Sequence, residues 1–139
     1  MIGRLLAVDY GERRVGLAVT DPTRTIATPA GFIARRPGKR PPIAEIVRRA
    51  AEVEAVGFVL GLPLDAEGEE TPRSAEVRLV AAELEKRTGL FTRLVDERFT
   101  TAAALRAMRE MGTTTRGRKG EVDALAATML LRHALDLGV

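Results

Sequence analysis

The sequence predicts one α/β domain, spanning residues 1–139, with a mixed central sheet and helices on both faces. Three observations support this prediction. The chain of 139 residues has the length of one ordinary domain. Its first two apolar runs are separated by only a few residues, which permits an antiparallel hairpin. Its later apolar runs alternate with segments of helical periodicity, which is typical of parallel strands joined by crossover helices.

The first predicted strand is the short apolar run 5–8, which ends at the glycine turn 9–11 and should be central in the sheet. The continuously apolar run 56–62 is typical of a strand covered on both faces. The remaining strands are predicted at 14–20, around 30–35 and at 90–95. Apolar spacing predicts helices at 43–54, 73–87, 100–111 and 121–137. In strand and helix notation, the predicted order is β-β-β-α-β-α-β-α.

Composition restricts the chemistry. Cysteine is absent and His133 is the only histidine, so disulfides, thiolate metal sites and clusters of histidines are excluded. Any acid–base or metal chemistry must therefore depend mainly on carboxylates. The longest apolar run, 56–64, has nine residues, about half of the ~18 that a membrane span needs. The start of the chain also lacks a signal-peptide layout, so we expect a cytoplasmic protein without a membrane partner.

Four acidic residues stand out because they lie at three notable places in the predicted elements. Asp9 comes where the first apolar strand stops, and Asp96 and Glu97 come where the fifth one stops. Open α/β sheets hold their ligands beyond the carboxyl ends of the strands. Because side chains alternate, only one of the pair Asp96 and Glu97 can point into that crevice, and the other can pair with Arg98. Asp123 is placed in the first turn of the last helix.

Taken singly, each acid also has a structural interpretation, as a turn cap or as a favourable charge at a helix start. Together they can converge on one site. Clustered carboxylate oxygens select hard cations, Mg²⁺ or Mn²⁺, over zinc. Such ions can clamp the attacking and leaving oxygens of a phosphodiester. The acids therefore indicate a metal-dependent phosphodiester chemistry.

Cations are unevenly distributed along the chain. The net charge of +3 divides into +6 for residues 1–49, −5 for 50–90 and +2 for 91–139, which indicates a surface that attracts polyanions. The segment 112–120 (GTTTRGRKG) is basic and is either a solvated loop or a mobile phosphate clamp. Arg13 and Arg14, at the first hairpin turn, could reach the same nucleic-acid backbone.

Four motifs resemble the YqgF/RuvX-type family of RNase H-like proteins, described as pre-16S rRNA nucleases or Holliday junction resolvases. They are AVDYGERRVGLAVTD (7–21), VLGLP (59–63), DERFTT (96–101) and KGEVDALAATMLL (119–131). The resemblance runs over nearly the whole chain, with every motif in order, and it implies an RNase H-like fold with a divalent-metal site.

By position, the resemblance implies that Asp9, Glu97 and Asp123 are the catalytic, metal-binding acids. Predicted nucleic-acid contacts are Arg13, Arg14, Arg98, Arg116, Arg118 and Lys119. Many relatives of this fold place an acid after the fourth strand, where this chain has its nearest acid at Asp65. For a fourth metal-site carboxylate, the candidates are Glu121, Asp21 and Asp96.

The leading hypothesis is a nuclease dependent on Mg²⁺ or Mn²⁺ that acts on structured RNA in 5′-end processing of pre-16S rRNA. One alternative keeps the chemistry but takes branched DNA as the substrate, as a Holliday junction resolvase. Another alternative is a non-catalytic RNA-binding factor of ribosome assembly. The sequence leaves monomer and homodimer open.

Overall fold

The computed structural model describes residues 2–36, 38–98, 100–110 and 119–139. The elements, in chain order, are β1 (Arg4–Tyr10), β2 (Arg14–Thr20), β3 (Ala27–Ala34), α1 (Ile43–Glu52), β4 (Ala55–Leu62), α2 (Pro72–Thr88), β5 (Phe91–Asp96), α3 (Thr101–Glu110) and α4 (Lys119–Asp136). The predicted order is confirmed as far as α3. That order counted the helices predicted at 100–111 and 121–137 as one, whereas the structure has them as two elements, α3 and α4.

The five strands form one mixed sheet in the order β3-β2-β1-β4-β5. β1 pairs antiparallel with β2 and parallel with β4, so the predicted central strand is confirmed. β2 and β3 are antiparallel, and β4 and β5 are parallel. All parallel strands end at one edge of the sheet, which is where the predicted acids of β1 and β5 lie.

Side-chain alternation along β1 supplies both hydrophobic cores. Leu6 and Val8 face α1 and α2, where they pack with residues such as Ile46 and Leu84. On the opposite face, Leu5 and Ala7 pack against α3 and α4, with Ala102, Ala127, Leu130, Leu131 and Ala134. The small residues of that face let α4 lie close to the sheet. Helices on both faces are thereby confirmed.

Local sequence signals explain the ends of α2. The Thr71 side chain accepts a hydrogen bond from the Ser74 backbone, and the Ser74 hydroxyl accepts one from the Thr71 N–H, which forms a capping box. Pro72 takes the first helical position, where no N–H is needed. Gly89 ends the helix in the left-handed conformation at φ 71°.

The two edges of the sheet differ. The outer strand β3 contains Pro29 and, at φ 84°, Gly31. On the other side, β5 has only six residues and exposes the charged side chains of Arg93 and Asp96.

Among the described residues, none of the helices has the length and apolar character that a membrane span requires.

Two predicted boundaries need correction. β3 begins at Ala27 and not near residue 30, because Thr28 and Pro29 continue the ladder with β2. α4 begins at Lys119 and not at residue 121. Asp123 is consequently the fifth residue of α4 and lies beyond its first turn. Most of the basic segment 112–120, including Arg116 and Arg118, lies outside the described residues.

Candidate active site

Asp9 lies on the α3 and α4 face of the sheet. It follows Leu5 and Ala7 at a spacing of two, and those residues belong to the core on that face. The carboxyl group is only 1% exposed, and no hydrogen-bond donor of the described residues satisfies its Oδ2 atom. A buried carboxylate with an unsatisfied oxygen is costly in a core unless a cation accompanies it.

Glu97 approaches the same face from β5. Val95 packs in the α3 and α4 core, and Glu97, two residues further on, is 3% exposed. Asp96 lies between them in the sequence and is exposed, with Arg98 Nη2 2.8 Å from its Oδ2. This hydrogen bond lowers the pKa of Asp96. The prediction that one acid of the pair points inward and the other pairs with Arg98 is confirmed.

Gly61, near the end of β4, lies directly beside the Glu97 carboxylate. A Cβ atom at Gly61 would lie 2.8 Å from Glu97 Oε2, so the glycine provides the space in which the Glu97 carboxylate lies. The strand-five acid thus reaches over β4 from the neighbouring strand. Asp65, the nearest acid after β4, accepts hydrogen bonds from the backbone of Glu67 and Glu69 at 2.9 Å and stabilises a turn.

Asp123 is fully buried on α4 and is held close to β2. A Cβ at Gly16 would lie 2.1 Å from the carbonyl oxygen of Asp123, so α4 is in contact with the β2 backbone at this point. Gly16 is the register partner of Asp9, which brings Asp123 to the part of the sheet that carries Asp9. Arg14 Nε donates to Asp123 Oδ2 at 2.6 Å.

Arg106 connects two of the acids and was missed by the sequence analysis. Its guanidinium forms ion pairs with Asp9 Oδ1 and Glu97 Oε1 through different nitrogens, and the residue is only 8% exposed. The available signal was spacing. Arg106 lies four residues after the buried Ala102, and therefore on the inward face of α3.

The three predicted acids are therefore all buried on one face at one end of the sheet, but each contacts an arginine. In the described part of the chain, no three acidic or histidine side chains come close enough to hold one ion together. Even so, the donor set suits a hard cation, since the guanidinium shows that positive charge is held between Asp9 and Glu97.

Two candidates for a fourth carboxylate are placed away from this cluster. Asp21 lies just after β2, at the opposite end of the sheet. Its Oδ1 accepts hydrogen bonds from the backbone N–H groups of Thr25 and Ile26 at 2.8 Å. Asp96 lies on the other face of β5, with Arg98. Glu121 is exposed in the first turn of α4.

The predicted basic residues have different environments. Arg13 is exposed at the hairpin turn, while Arg14 pairs with Asp123. Arg98 is held by Asp96 and by the carbonyl of Ala66 at 3.2 Å. Lys119 is the first residue of α4, and Arg116 and Arg118 lie outside the described residues.

The chain is similar in sequence to a known protein family and to named bacterial relatives. The family model described as "RuvX: Holliday junction resolvase" matches residues 3–137. A protein of Rhodobacter capsulatus named "Putative pre-16S rRNA nuclease" is 42% identical over 97% of this chain and 84% of its own length. One of Rickettsia bellii with the same name is 36% identical over 95% of this chain and 85% of its own length.

Among solved structures, RuvC of Thermus thermophilus is similar, with a TM-score of 0.57 at 12% identity, covering 97% of this chain and 96% of that one. The T. thermophilus RuvC "in complex with Holliday junction substrate" gives a TM-score of 0.56 at 14% identity, covering 97% and 94%. These likenesses show the fold and confirm its predicted RNase H-like class. By the match over residues 3–137 and the identity to its relatives, the chain belongs to the RuvX family of nucleases.

Proposed function

We propose that this protein is a divalent-metal-dependent nuclease that hydrolyses phosphodiester bonds of structured RNA in the cytoplasm, in 5′-end processing of pre-16S rRNA. The names of its relatives support the substrate, since the proteins of R. capsulatus and R. bellii are both named for pre-16S rRNA. The family description supports nucleic acid as the partner.

The single observation that carries the proposal is the buried pair Asp9 and Glu97 with a cation between them. Two carboxylates in a core would raise each other's pKa and lose their charge unless a positive group neutralised them. The fold brings both to one guanidinium, and Asp123 packs against the register partner of Asp9. These acids would hold Mg²⁺ or Mn²⁺, whose oxygen preference they match.

Each residue of the site would have its own role. When bound, the ion would act as a Lewis acid and lower the pKa of a water molecule. Asp9 and Glu97 would bind it within a core that excludes bulk water, and Arg14 orients Asp123 by its 2.6 Å hydrogen bond. Arg13, exposed beside the hairpin turn, would contact the phosphates of the substrate, with Lys119, Arg116 and Arg118. Arg98, which also holds Asp96, is the remaining predicted contact.

The decisive experiment compares the wild-type protein with Asp9→Asn on precursor rRNA and on four-way DNA junctions, in Mg²⁺, Mn²⁺ and EDTA. Asp136→Asn is the matched control, because it makes the same chemical change at an exposed acid at the C-terminal end of α4. We expect wild type and Asp136→Asn to cut the RNA in either ion and not in EDTA. We expect Asp9→Asn to bind RNA with little cleavage, about a hundredfold or more below wild type.

The family description favours one second candidate, junction resolution. A resolvase must cut two symmetric strands, so it should act as a dimer. Cleavage of the DNA junction in preference to the RNA, by a protein that is dimeric in light scattering, would select this function. Binding of RNA by wild type and Asp9→Asn alike, without metal-dependent cutting of either substrate, would instead indicate a non-catalytic assembly factor.

A further inference from the structure

We propose that Arg106 is a built-in counter-cation that holds the place of a divalent ion between Asp9 and Glu97, and that metal binding requires its side chain to move out. The inference rests on the proposed function to the extent that the ion is the one the nuclease would use. In this proposal, α3 carries a cation that leaves the two carboxylates when a divalent ion binds them.

The contacts of Arg106 support a neutralising role. Two nitrogens of one guanidinium reach two carboxylates that come from different strands and are almost completely buried. The guanidinium is planar, always charged and weakly hydrated, so it suits a buried pair of carboxylates better than an ammonium group does. The metal-free protein therefore offsets one of the two negative charges with its own side chain.

The position of Arg106 also makes exchange feasible. Among the described side chains of α3, only Ala102 and Arg106 are buried, while Thr101, Ala104, Ala107 and Met108 are exposed. The guanidinium is carried on a long flexible arm, on a helix whose other described side chains are mostly exposed. Solvation of the released charge would offset part of the lost pairing.

Competition between two cations for the same oxygens makes a quantitative prediction. A divalent ion that has to displace Arg106 binds with its intrinsic affinity reduced by that displacement. Removing the charge in Arg106→Gln should therefore tighten Mn²⁺ binding about tenfold or more. The same variant should be less stable than wild type in EDTA, because its carboxylates lose a counter-cation. Mn²⁺ should restore most of that stability.

The test measures Mn²⁺ binding by calorimetry and thermal unfolding with Mn²⁺ or EDTA, on the full chain. Wild type is compared with Arg106→Gln, Arg106→Lys and the control Arg87→Gln. Arg87 lies on α2, in an exposed pair with Glu83, and its change should leave Mn²⁺ affinity unaltered. Arg106→Lys keeps the charge but lacks the fork, so its affinity should lie between those of wild type and Arg106→Gln.

A second measurement needs no variant. In wild-type protein, the Nη–H groups of Arg106, which pair with Asp9 and Glu97, should exchange slowly with solvent in EDTA and rapidly when Mg²⁺ saturates the site, as followed by NMR. Persistent protection at saturating Mg²⁺, or Mn²⁺ binding by Arg106→Gln that is no tighter than wild type, would show that Arg106 is a permanent structural cation. That result would leave the nuclease proposal intact. Absence of any Mn²⁺ binding and of cleavage by wild type would overturn both proposals.

Discussion

At the scale of single residues, Asp9 and Tyr10 show how adjacent side chains are assigned to different tasks. Asp9 faces the candidate site, and Tyr10, one position on, points into the opposite core. There the guanidinium of Arg35 stacks 4.3 Å from the centre of the Tyr10 ring. Burial raises the pKa of Tyr10 from its ordinary 10.0 to about 12, despite the nearby positive charge.

Tyr10 gives a prediction that one titration can check. It is the only tyrosine, and tryptophan is absent, so the ultraviolet absorbance of tyrosinate reports on this residue alone. We expect a midpoint near pH 12 in the native protein and near 10 in urea. Because the unfolded chain loses the proton first, the free energy of unfolding should fall as the pH rises between those two values. Tyr10→Phe should lack this loss of stability in the same window, and a native midpoint near 10 would contradict the buried position.

The acids of the candidate site could be predicted from the sequence, but the arginine that pairs with two of them could not. Asp9 and Glu97 end apolar strands, and that position alone indicates a crevice. Arg106 lies within a helix, where an arginine is ordinarily solvated. Helical spacing from Ala102 suggests an inward position, but only the three-dimensional approach of α3 to the strand ends shows which acids it meets.

At the scale of elements, glycines set the approach of one element to another. Gly16 lets the backbone of α4 contact β2, and Gly61 leaves room for the Glu97 carboxylate beside β4. Sequence periodicity could predict these strands and helices, since their apolar residues recur at regular spacing. It could not predict which glycine lies under which acid, because that depends on sheet register.

Gly16→Ala tests the contact between α4 and β2. The new Cβ would lie 2.1 Å from the Asp123 carbonyl oxygen, so α4 has to shift. We expect a loss of about 1–3 kcal/mol in the free energy of unfolding, measured in urea, together with weaker Mn²⁺ binding as Asp123 moves.

Gly57→Ala is the control for that experiment. Its Cβ would lie 2.3 Å from the Phe91 ring, but Phe91 is 39% exposed on an edge strand and can turn outward. This variant should keep the Mn²⁺ affinity of wild type. Equal losses of affinity in the two variants would show that the Gly16 contact does not position Asp123.

At the scale of the whole molecule, two cores share one sheet, and we expect them to unfold together as a single domain. Leu84 lies in the core beside α2 and Leu130 in the core beside α4, and both are fully buried. Leu84→Ala and Leu130→Ala should each lower the free energy of unfolding by about 2–5 kcal/mol. Each should shift the same transition, measured by circular dichroism and by Tyr10 absorbance in urea. Separate transitions for the two probes would indicate two independent units.

The edges of the sheet have a consequence for how copies of the protein could meet. Proline on β3 removes a donor from the outer ladder, and β5 is short and charged, so neither border offers a good template for adding a foreign strand. Growth of a continuous intermolecular ribbon is thereby disfavoured. A pair of subunits, if one forms, would therefore be expected to meet through helices or loops and not through a sheet shared by both copies.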